Sequence, residues 1–224
     1  MGMTPRISEG TCSFCNSTVS KATMTKHLKA CKQREKLPEA PSRKKATKTF
    51  HLVVEGRYLP EYWLHLEVDG TATLEDLDAF LRDIWLECCG HLSAFTIEGQ
   101  RYSSAPSGDL DDEDMDVPLD EVLRPGMKCL YEYDFGSTTE LALKVIAERD
   151  GSGGREPVRL LARNAPPAIT CHSCGKAASQ VCMECVFSGR GWLCDACARK
   201  HKCEADFFLP VVNSPRVGTC AYGG

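Results

Sequence analysis

Cysteine is the residue type whose spacing in this sequence points most directly to chemistry. The 224-residue chain contains 14 cysteines, and four Cys-x-x-Cys pairs occur among them. A pair with this spacing turns both sulfurs towards one ion, and histidines follow the pairs at distances typical of zinc sites. Disulfides and a thioredoxin-like redox pair are the alternatives, but a redox pair is expected singly, at the start of a helix in a βαβ unit. The pattern therefore predicts zinc.

The first predicted zinc site is a C2HC-type finger over residues 8–35. Its expected ligands are Cys12, Cys15, His27 and Cys31. The last two are four residues apart, so a helix places them on one side, and this helix begins either at Thr25 or a turn earlier near Ser20. A small apolar plug is expected from Val19, Met24 and Leu28. So small a segment folds only with its metal, whose binding contributes about 10–16 kcal/mol in comparable peptides.

The C-terminal segment 169–224 holds the other Cys-x-x-Cys pairs and is predicted to bind two more zinc ions. Its spacing is similar to that of B-box and MYND modules, in which alternating pairs share an ion. One ion is expected at Cys171, Cys174, Cys194 and Cys197. The other is expected at Cys182, Cys185, His201 and Cys203, with Cys220 as the alternative fourth ligand. His172 lies inside the first pair and is not an expected ligand, so the prediction is three zinc ions per chain.

Charge is distributed unevenly along the chain, although the formal net charge is only −4. Residues 1–48 carry 11 Lys/Arg and 3 Asp/Glu, a net charge of +8, whereas residues 49–148 carry 6 and 22, a net charge of −16. Residues 149–224 carry 10 and 6, a net charge of +4. A basic N-terminal part joined to an acidic centre predicts that the two parts meet different partners.

Basic residues lie along the finger helix and just after it, and more of them occur in a linker, residues 36–48. Those of the finger are Lys21, Lys26, Lys29, Lys32 and Arg34. Such a stripe can contact the phosphates of DNA or RNA, and the alternative is a solvated face beside a flexible linker. The acidic centre and the C-terminal zinc module favour a protein partner instead, so both classes of partner stay open.

Between the zinc modules, residues 49–148 are predicted to form an α+β domain, followed by a connecting segment, 149–168. Thr73 and Asp76 form a capping sequence for one main helix, which is expected to close at Gly90. The remaining expected elements are strands at 50–56, 62–68, 93–98, 128–135 and 139–147 and a short helix at 118–123. This order predicts a β-grasp-like sheet with one main helix packed on it.

Several long motifs in this domain are those of a known family. They read FHLVVEG, LEDLDAFLRDIWLECCGHLSAF, VPLDEVLRPGMK and YEYDFGSTTELALKV. Over about residues 48–148 the chain resembles the plasmid pRiA4b ORF-3-like family, some members of which are labelled IS1096 element passenger TnpR. The tail LPVVNSPRVGTCAY is also similar to that of members with the same Cys-rich module. The resemblance implies a fold and, through its label, an association with mobile elements, but no established activity.

A recombinase or nuclease-like enzyme of a mobile-element or defence pathway is the alternative function. Such an enzyme needs a nucleophile with clustered basic residues, and the central domain has only six Lys/Arg. Asp134-Phe135-Gly136 is expected to be a turn, and the acidic stretch 109–116 a solvated loop. Cys88, Cys89 and His91 could form a metal or nucleophile cluster, but buried structural thiols are expected.

The sequence therefore favours a non-catalytic interaction protein that binds zinc. The expected zinc sites are fully ligated by protein side chains, whereas catalytic zinc keeps an open position. We see no signal peptide, because the N-terminus has no apolar stretch, and no run of about 18 apolar residues that would span a membrane. A cytoplasmic location is expected.

Overall fold

A computed structural model describes residues 8–35, 47–106, 112–151 and 156–224. Most of the basic linker, residues 36–46, and residues 109–111 of the acidic stretch lie outside the described residues. The chain divides into two compact units, which are described separately. The first contains Met1–Leu81 and Leu92–Ala165, and the second contains Arg82–His91 and Pro166–Gly224.

A ten-stranded sheet dominates the described part of the first unit, in the order β2-β1-β10-β4-β3-β9-β8-β5-β6-β7. The strands are β1 (Glu9–Cys12), β2 (Thr18–Ser20), β3 (Lys48–Gly56), β4 (Trp63–Asp69), β5 (Ser93–Ile97), β6 (Gln100–Ser103), β7 (Asp112–Asp114), β8 (Lys128–Tyr133), β9 (Thr139–Asp150) and β10 (Val158–Asn164). Neighbours pair antiparallel, except for the parallel pair β6 and β7. The structure thus confirms a mixed α+β class built mostly on one large sheet.

Few helices accompany this sheet. They are α1 (Lys21–Ala30), α2 (Lys32–Glu35), α3 (Leu74–Leu81) and α4 (Leu119–Val122). The predicted cap of α3 is confirmed: Thr73 N–H donates to Asp76 Oδ2 at 3.0 Å, and Asp76 N–H donates to Thr73 Oγ1 at 3.2 Å. The predicted extension of this α-helix to Gly90 is wrong, because from Arg82 to Leu86 the chain forms a π-helical turn with an N–H···O bond from Glu87 to Arg82.

The segment 149–168, which the sequence predicts to be a connector, contains a strand of the sheet. Strand β10 pairs with β4 on one side and with β1 of the finger hairpin on the other. Gly10 in β1 lies opposite Asn164 in β10. The finger hairpin therefore extends the sheet, because β10 supplies the backbone partners that the hairpin alone would lack.

Trp63 of β4 is the side chain on which the finger packs. It is fully buried, and its Nε1–H donates to Ser8 Oγ at 2.7 Å. One buried cluster joins it to the finger and to β10: Cys12, Met24, Leu28, Cys31, Trp63, Leu161 and Ala162. Of the predicted apolar plug, Met24 and Leu28 are in this cluster and Val19 packs against it. The finger therefore shares an apolar core with the sheet rather than forming its own.

The second unit has much less regular structure. Its strands are β11 (Gln180–Cys182), β12 (Trp192–Leu193) and β13 (Phe208–Pro210). Its helical elements are the π-helical turn Arg82–Leu86, α5 (Asp195–Ala198) and 3-10 turns at Val186–Ser188 and Ala205–Phe207. The strands form a small sheet in the order β12-β11-β13. Such short elements cannot bury enough apolar surface to hold themselves together.

We expect Gly10→Ala to destabilise the protein. A methyl group there would lie 2.4 Å from the carbonyl oxygen of Arg163 and 2.5 Å from the ring of Trp63, and neither can move without disturbing the sheet. The free energy of unfolding should fall by about 1–3 kcal/mol, measured by chemical denaturation at a fixed excess of zinc. Gly136→Ala is the control, since its methyl group would meet only an Asp134 side-chain oxygen at 3.4 Å. Equal stability of the two variants would contradict the close approach of β1 to Trp63.

Candidate metal centres

The first Cys/His group lies where the finger hairpin meets α1. Cys12 ends β1 and Cys15 lies in the turn of the hairpin. His27 is in the last turn of α1, and Cys31 is its C-cap. The helix begins at Lys21 after Ser20, the earlier of the two predicted starts. Cys12 and Cys31 place their sulfurs 4.0 Å apart, and Cys15 Sγ lies 3.4 Å from His27 Nε2.

Two further groups lie in the C-terminal part of the second unit. Cys171, Cys174, Cys194 and Cys197 form one of them, and Cys182, Cys185, His201 and Cys203 form the other. The sulfurs of Cys174 and Cys194 are 3.6 Å apart, and those of Cys185 and Cys203 are 3.8 Å apart. The structure therefore brings together alternating Cys-x-x-Cys pairs, in the same two sets that the spacing predicts.

Cys203 and Cys220, the two candidates for the eighth C-terminal ligand, lie in different Cys/His groups. Cys203 lies with Cys182, Cys185 and His201, whereas Cys220 lies with Cys88, Cys89 and His91. This last set is a fourth Cys/His group, in which Cys220 joins the three residues that the sequence offers as a cluster in place of structural thiols. The prediction that Cys88 and Cys89 are buried structural thiols is wrong, because Cys89 is exposed and Cys88 only half-buried.

Geometry and chemistry of all four groups fit a tetrahedral metal ion. Within each group the four ligand atoms lie within 4.8 Å of one another. Around zinc, bond lengths of about 2.3 Å to sulfur and 2.0 Å to nitrogen place neighbouring ligand atoms about 3.5–3.8 Å apart. All 14 cysteines lie among the described residues and are free, and 13 of them belong to these groups. Nε2 of His201 is buried without a hydrogen-bond partner among the described residues, as suits a nitrogen that binds metal.

The acidity of the thiols shows why a cation suits these groups. Hydrogen bonds from Ser17 lower the pKa of Cys15 to about 6. In another group, hydrogen bonds with Cys174 and Cys194 raise the pKa of Cys197 to about 12, because ionised sulfurs so close together would repel one another. A bound zinc ion removes this conflict, since a coordinating thiol is deprotonated outright. The groups can therefore ionise fully only around a positive charge.

The basic residues of the finger fall into two sets. Lys21 forms an ion pair with Glu55 of β3, and Arg34 forms an ion pair with Glu67 of β4. Three lysines are exposed instead: Lys26, Lys29 and Lys32. In the sequence all five form one basic stripe, and only the tertiary structure shows which of them form ion pairs with carboxylates of the sheet.

The other predicted sites have simpler structures. Asp134 has a positive φ of 65°, and its Oδ1 accepts hydrogen bonds from the backbone N–H groups of Gly136 and Ser137. This arrangement is a turn between β8 and β9, as predicted. His172 is exposed, its imidazole is near the hydroxyl group of Ser173, and it belongs to none of the four Cys/His groups.

The fold and these groups define an α+β protein with four Cys/His clusters that are compatible with zinc. Residues 50–177 match the model of the plasmid pRiA4b ORF-3-like protein family. This chain belongs to that family. The match continues past residue 148, where the resemblance in the sequence ends, and so includes β10.

Other comparisons add little. The crystal structure of a protein of unknown function, MM3350 from Methanosarcina mazei Go1, is similar with a TM-score of 0.48 and 17% sequence identity, over 60% of this chain and 78% of that one. No protein of curated function matches. Among the described residues, every helix is too short or too polar to cross a membrane.

Substitution of Cys203 tests the ligand assignment in the C-terminal part of the chain. Cys203→Ser is expected to lower the metal content by one ion per chain, because a hydroxyl group is a poor ligand for zinc. The count is the molar ratio of zinc, measured by elemental mass spectrometry of the desalted protein, to the protein concentration. His172→Ala is the matched control and should keep the wild-type count, since this side chain lies outside every group. An unchanged count in Cys203→Ser would contradict the assignment.

Proposed function

We propose that this protein is a non-catalytic zinc-binding protein that contacts the phosphates of nucleic acid through its N-terminal finger and the adjoining surface of the sheet. One zinc ion is held by the finger and two by the C-terminal groups, in the cross-braced arrangement that the spacing predicts. Their role is structural, because each group offers four protein ligands and leaves no position open for a substrate.

A cationic pocket beside the finger is the observation that carries this proposal. The pocket has a volume of about 240 Å³ and is lined by Leu28, Lys29, Arg34, His51, Ala147 and Arg149. It brings the finger helices next to β3 and β9, so residues that are distant in the sequence contribute to one basic surface. A pocket of this size admits a phosphate group or a small part of a nucleotide.

Three arginines gathered around one buried carboxylate give this pocket its positive charge. Glu67 is nearly inaccessible and forms ion pairs with three guanidinium groups, those of Arg34, Arg149 and Arg159. Although burial opposes ionisation, these arginines hold the pKa of Glu67 below its usual value. One carboxylate cannot neutralise three guanidinium groups, so the cluster keeps a net charge of about +2. Arg149 and Lys29 extend this positive charge to the solvent.

The histidine at the pocket is neutral at physiological pH. His51 Nε2 lies 2.9 Å from His65 Nδ1. Burial, with the nearby charge of Arg34, lowers the pKa of His51 to about 4, and burial lowers that of His65 to about 3. The positive charge available to an anion at this pocket therefore comes from Lys29 and the arginines.

Exposed lysines extend the basic surface along the finger. Lys26, Lys29 and Lys32 lie on the outer side of the finger and are exposed. Contacts of this kind are made with the phosphate backbone and carry no sequence information. The proposal includes an association with mobile genetic elements, as the family label suggests, and a β-grasp-like arrangement of the sheet with one main helix. The same surface fits DNA and RNA.

Binding of a protein partner is the second candidate function, and the surface that would bind it lies in the second unit. Phe187 is 86% exposed in the short turn Val186–Ser188, which follows Cys185 directly. An exposed aromatic side chain is the kind of residue that anchors protein interfaces. The two candidates involve different surfaces, so each can be tested without the other.

Binding of the full-length zinc protein to duplex DNA should weaken steeply with salt. With phosphate contacts from Lys26, Lys29, Lys32 and the pocket residue Arg149, the log–log slope of the binding constant against salt concentration should be about −4. Lys26→Ala with Lys29→Ala should reduce its magnitude by about 2. Fluorescence anisotropy with a labelled duplex at several salt concentrations measures the slope.

The matched control is Lys128→Ala with Lys144→Ala, a pair of exposed lysines that lie opposite each other on β8 and β9. This control removes the same charge and should leave the slope unchanged within about 0.3, far less than one phosphate contact. Equal losses in the two double variants would show a non-specific effect of net charge. No binding to DNA or RNA at low salt would refute the proposal and leave the protein partner as the candidate.

A further inference from the structure

The group formed by Cys88, Cys89, His91 and Cys220 is built from two distant parts of the chain. Three of its members follow the π-helical turn Arg82–Leu86, and Cys220 comes 131 positions after Cys89, near the C-terminus. Both parts belong to the second unit. No local motif links them, so the group exists only because the chain folds.

Distances within this group match those expected around one tetrahedral zinc ion. Cys89 Sγ lies 3.6 Å from the sulfurs of both Cys88 and Cys220, and 3.0 Å from His91 Nε2. His91 Nε2 lies 3.5 Å from Cys220 Sγ. A tetrahedral ion with three sulfur ligands and one nitrogen ligand needs about 3.8 Å between sulfurs and about 3.6 Å between sulfur and nitrogen. Small adjustments of the side chains are enough to admit the ion.

The backbone is bent at both ends of the group to bring these atoms together. Gly90, between Cys89 and His91, has a φ of 76°, and its N–H donates to Glu87 Oε1 at 2.6 Å. Cys220 has a φ of 53°, which is unfavourable for a residue with a Cβ. Such a conformation persists only where contacts of the surrounding structure hold it in place. Here it turns the sulfur of Cys220 towards the other three ligands.

A buried arginine provides the charge balance for such a site. Arg216 is fully buried, and its Nη2 donates to Cys88 Sγ at 3.5 Å. Three thiolates, one neutral imidazole and Zn²⁺ together carry a charge of −1, which a guanidinium group in contact with one sulfur offsets. Ser214 Oγ donates to the carbonyl oxygen of Trp85 at 2.6 Å and accepts from Arg216 N–H, so this stretch of the tail is fixed next to the ligands.

We propose that Cys88, Cys89, His91 and Cys220 form a fourth zinc site, of the Cys3His type, which joins the segment Arg82–His91 to the C-terminal tail. Soft thiolates with one imidazole select zinc over the harder divalent cations. The chain then binds four zinc ions, one more than the spacing of its cysteines predicts.

The fourth site is also the most accessible of the four. Each of the other groups contains at least one buried cysteine, whereas Cys89 is exposed and the remaining three ligands here are half-buried. The zinc ion at this site should therefore be the first that a chelator removes. We expect one equivalent of zinc to be released in a distinct fast phase when the full-length protein meets a chromogenic chelator.

Metal counts on the full-length protein and on variants test the proposal. Wild type should contain four zinc ions per chain, and Cys220→Ser and His91→Ala should each contain three and lack the fast phase. His91→Cys should keep four, because a thiolate can replace the imidazole as a ligand. Cys129→Ser is the matched control, since Cys129 is the cysteine outside all four groups, and it should keep both the count and the fast phase.

Three zinc ions in wild type, or an unchanged count in Cys220→Ser, would overturn the proposal. So would a disulfide, seen as fewer than 14 titratable thiols after denaturation with chelator and without reductant. If a variant fails to fold, cadmium-113 NMR of the cadmium-substituted wild type counts the metal sites instead. Four resonances are expected, and three would contradict the fourth site. The inference rests on zinc binding by this chain. If only the fourth site is wrong, the wild-type protein contains three zinc ions. If the proposed structural role of zinc is wrong, it contains none.

Discussion

Sulfur takes the place of hydrocarbon in the interior of the C-terminal part of this protein. The buried cluster there consists of Cys171, Cys182 and Leu193, and six of the nine residues in and around it are cysteines. Thiols bury little apolar surface, and thiolates repel one another, so neither form holds the short strands together by itself. On this argument the short strands need a cation that binds these sulfurs, and the proposed zinc ions act in place of an apolar core.

The N-terminal finger is stabilised in a different way. Its ligands Cys12 and Cys31 lie in an apolar cluster that includes Trp63 of β4, and its hairpin continues the main sheet. Burial and backbone hydrogen bonds therefore stabilise the finger in addition to any ion that its four ligands bind. This docking also creates the cationic pocket, because Arg34 reaches Glu67 only when the finger lies against the sheet.

Ion pairs between the finger and the sheet change what the charge pattern means. The sequence has a strongly basic N-terminal part and a strongly acidic centre, which suggests separate surfaces for separate partners. In the structure Lys21 and Arg34 bind carboxylates of the centre, while Arg149 and Arg159 bring positive charge from later in the chain. The basic surface is therefore smaller along the finger helix than the sequence implies, but deeper where the finger meets β3 and β9.

Local patterns in the sequence determined the Cys-x-x-Cys pairs, the capping of α3 by Thr73 and most strands of the sheet, because each depends on residues only a few positions apart. The same patterns placed Cys203 rather than Cys220 with His201, since ligands close in sequence need no ordered tail. Strand β10 gave no such signal, and the local run of Cys88, Cys89 and His91 gave no indication of Cys220 as their partner. Strand pairing and a site whose members are 131 positions apart depend on which surfaces meet after folding, so the tertiary structure alone decided them.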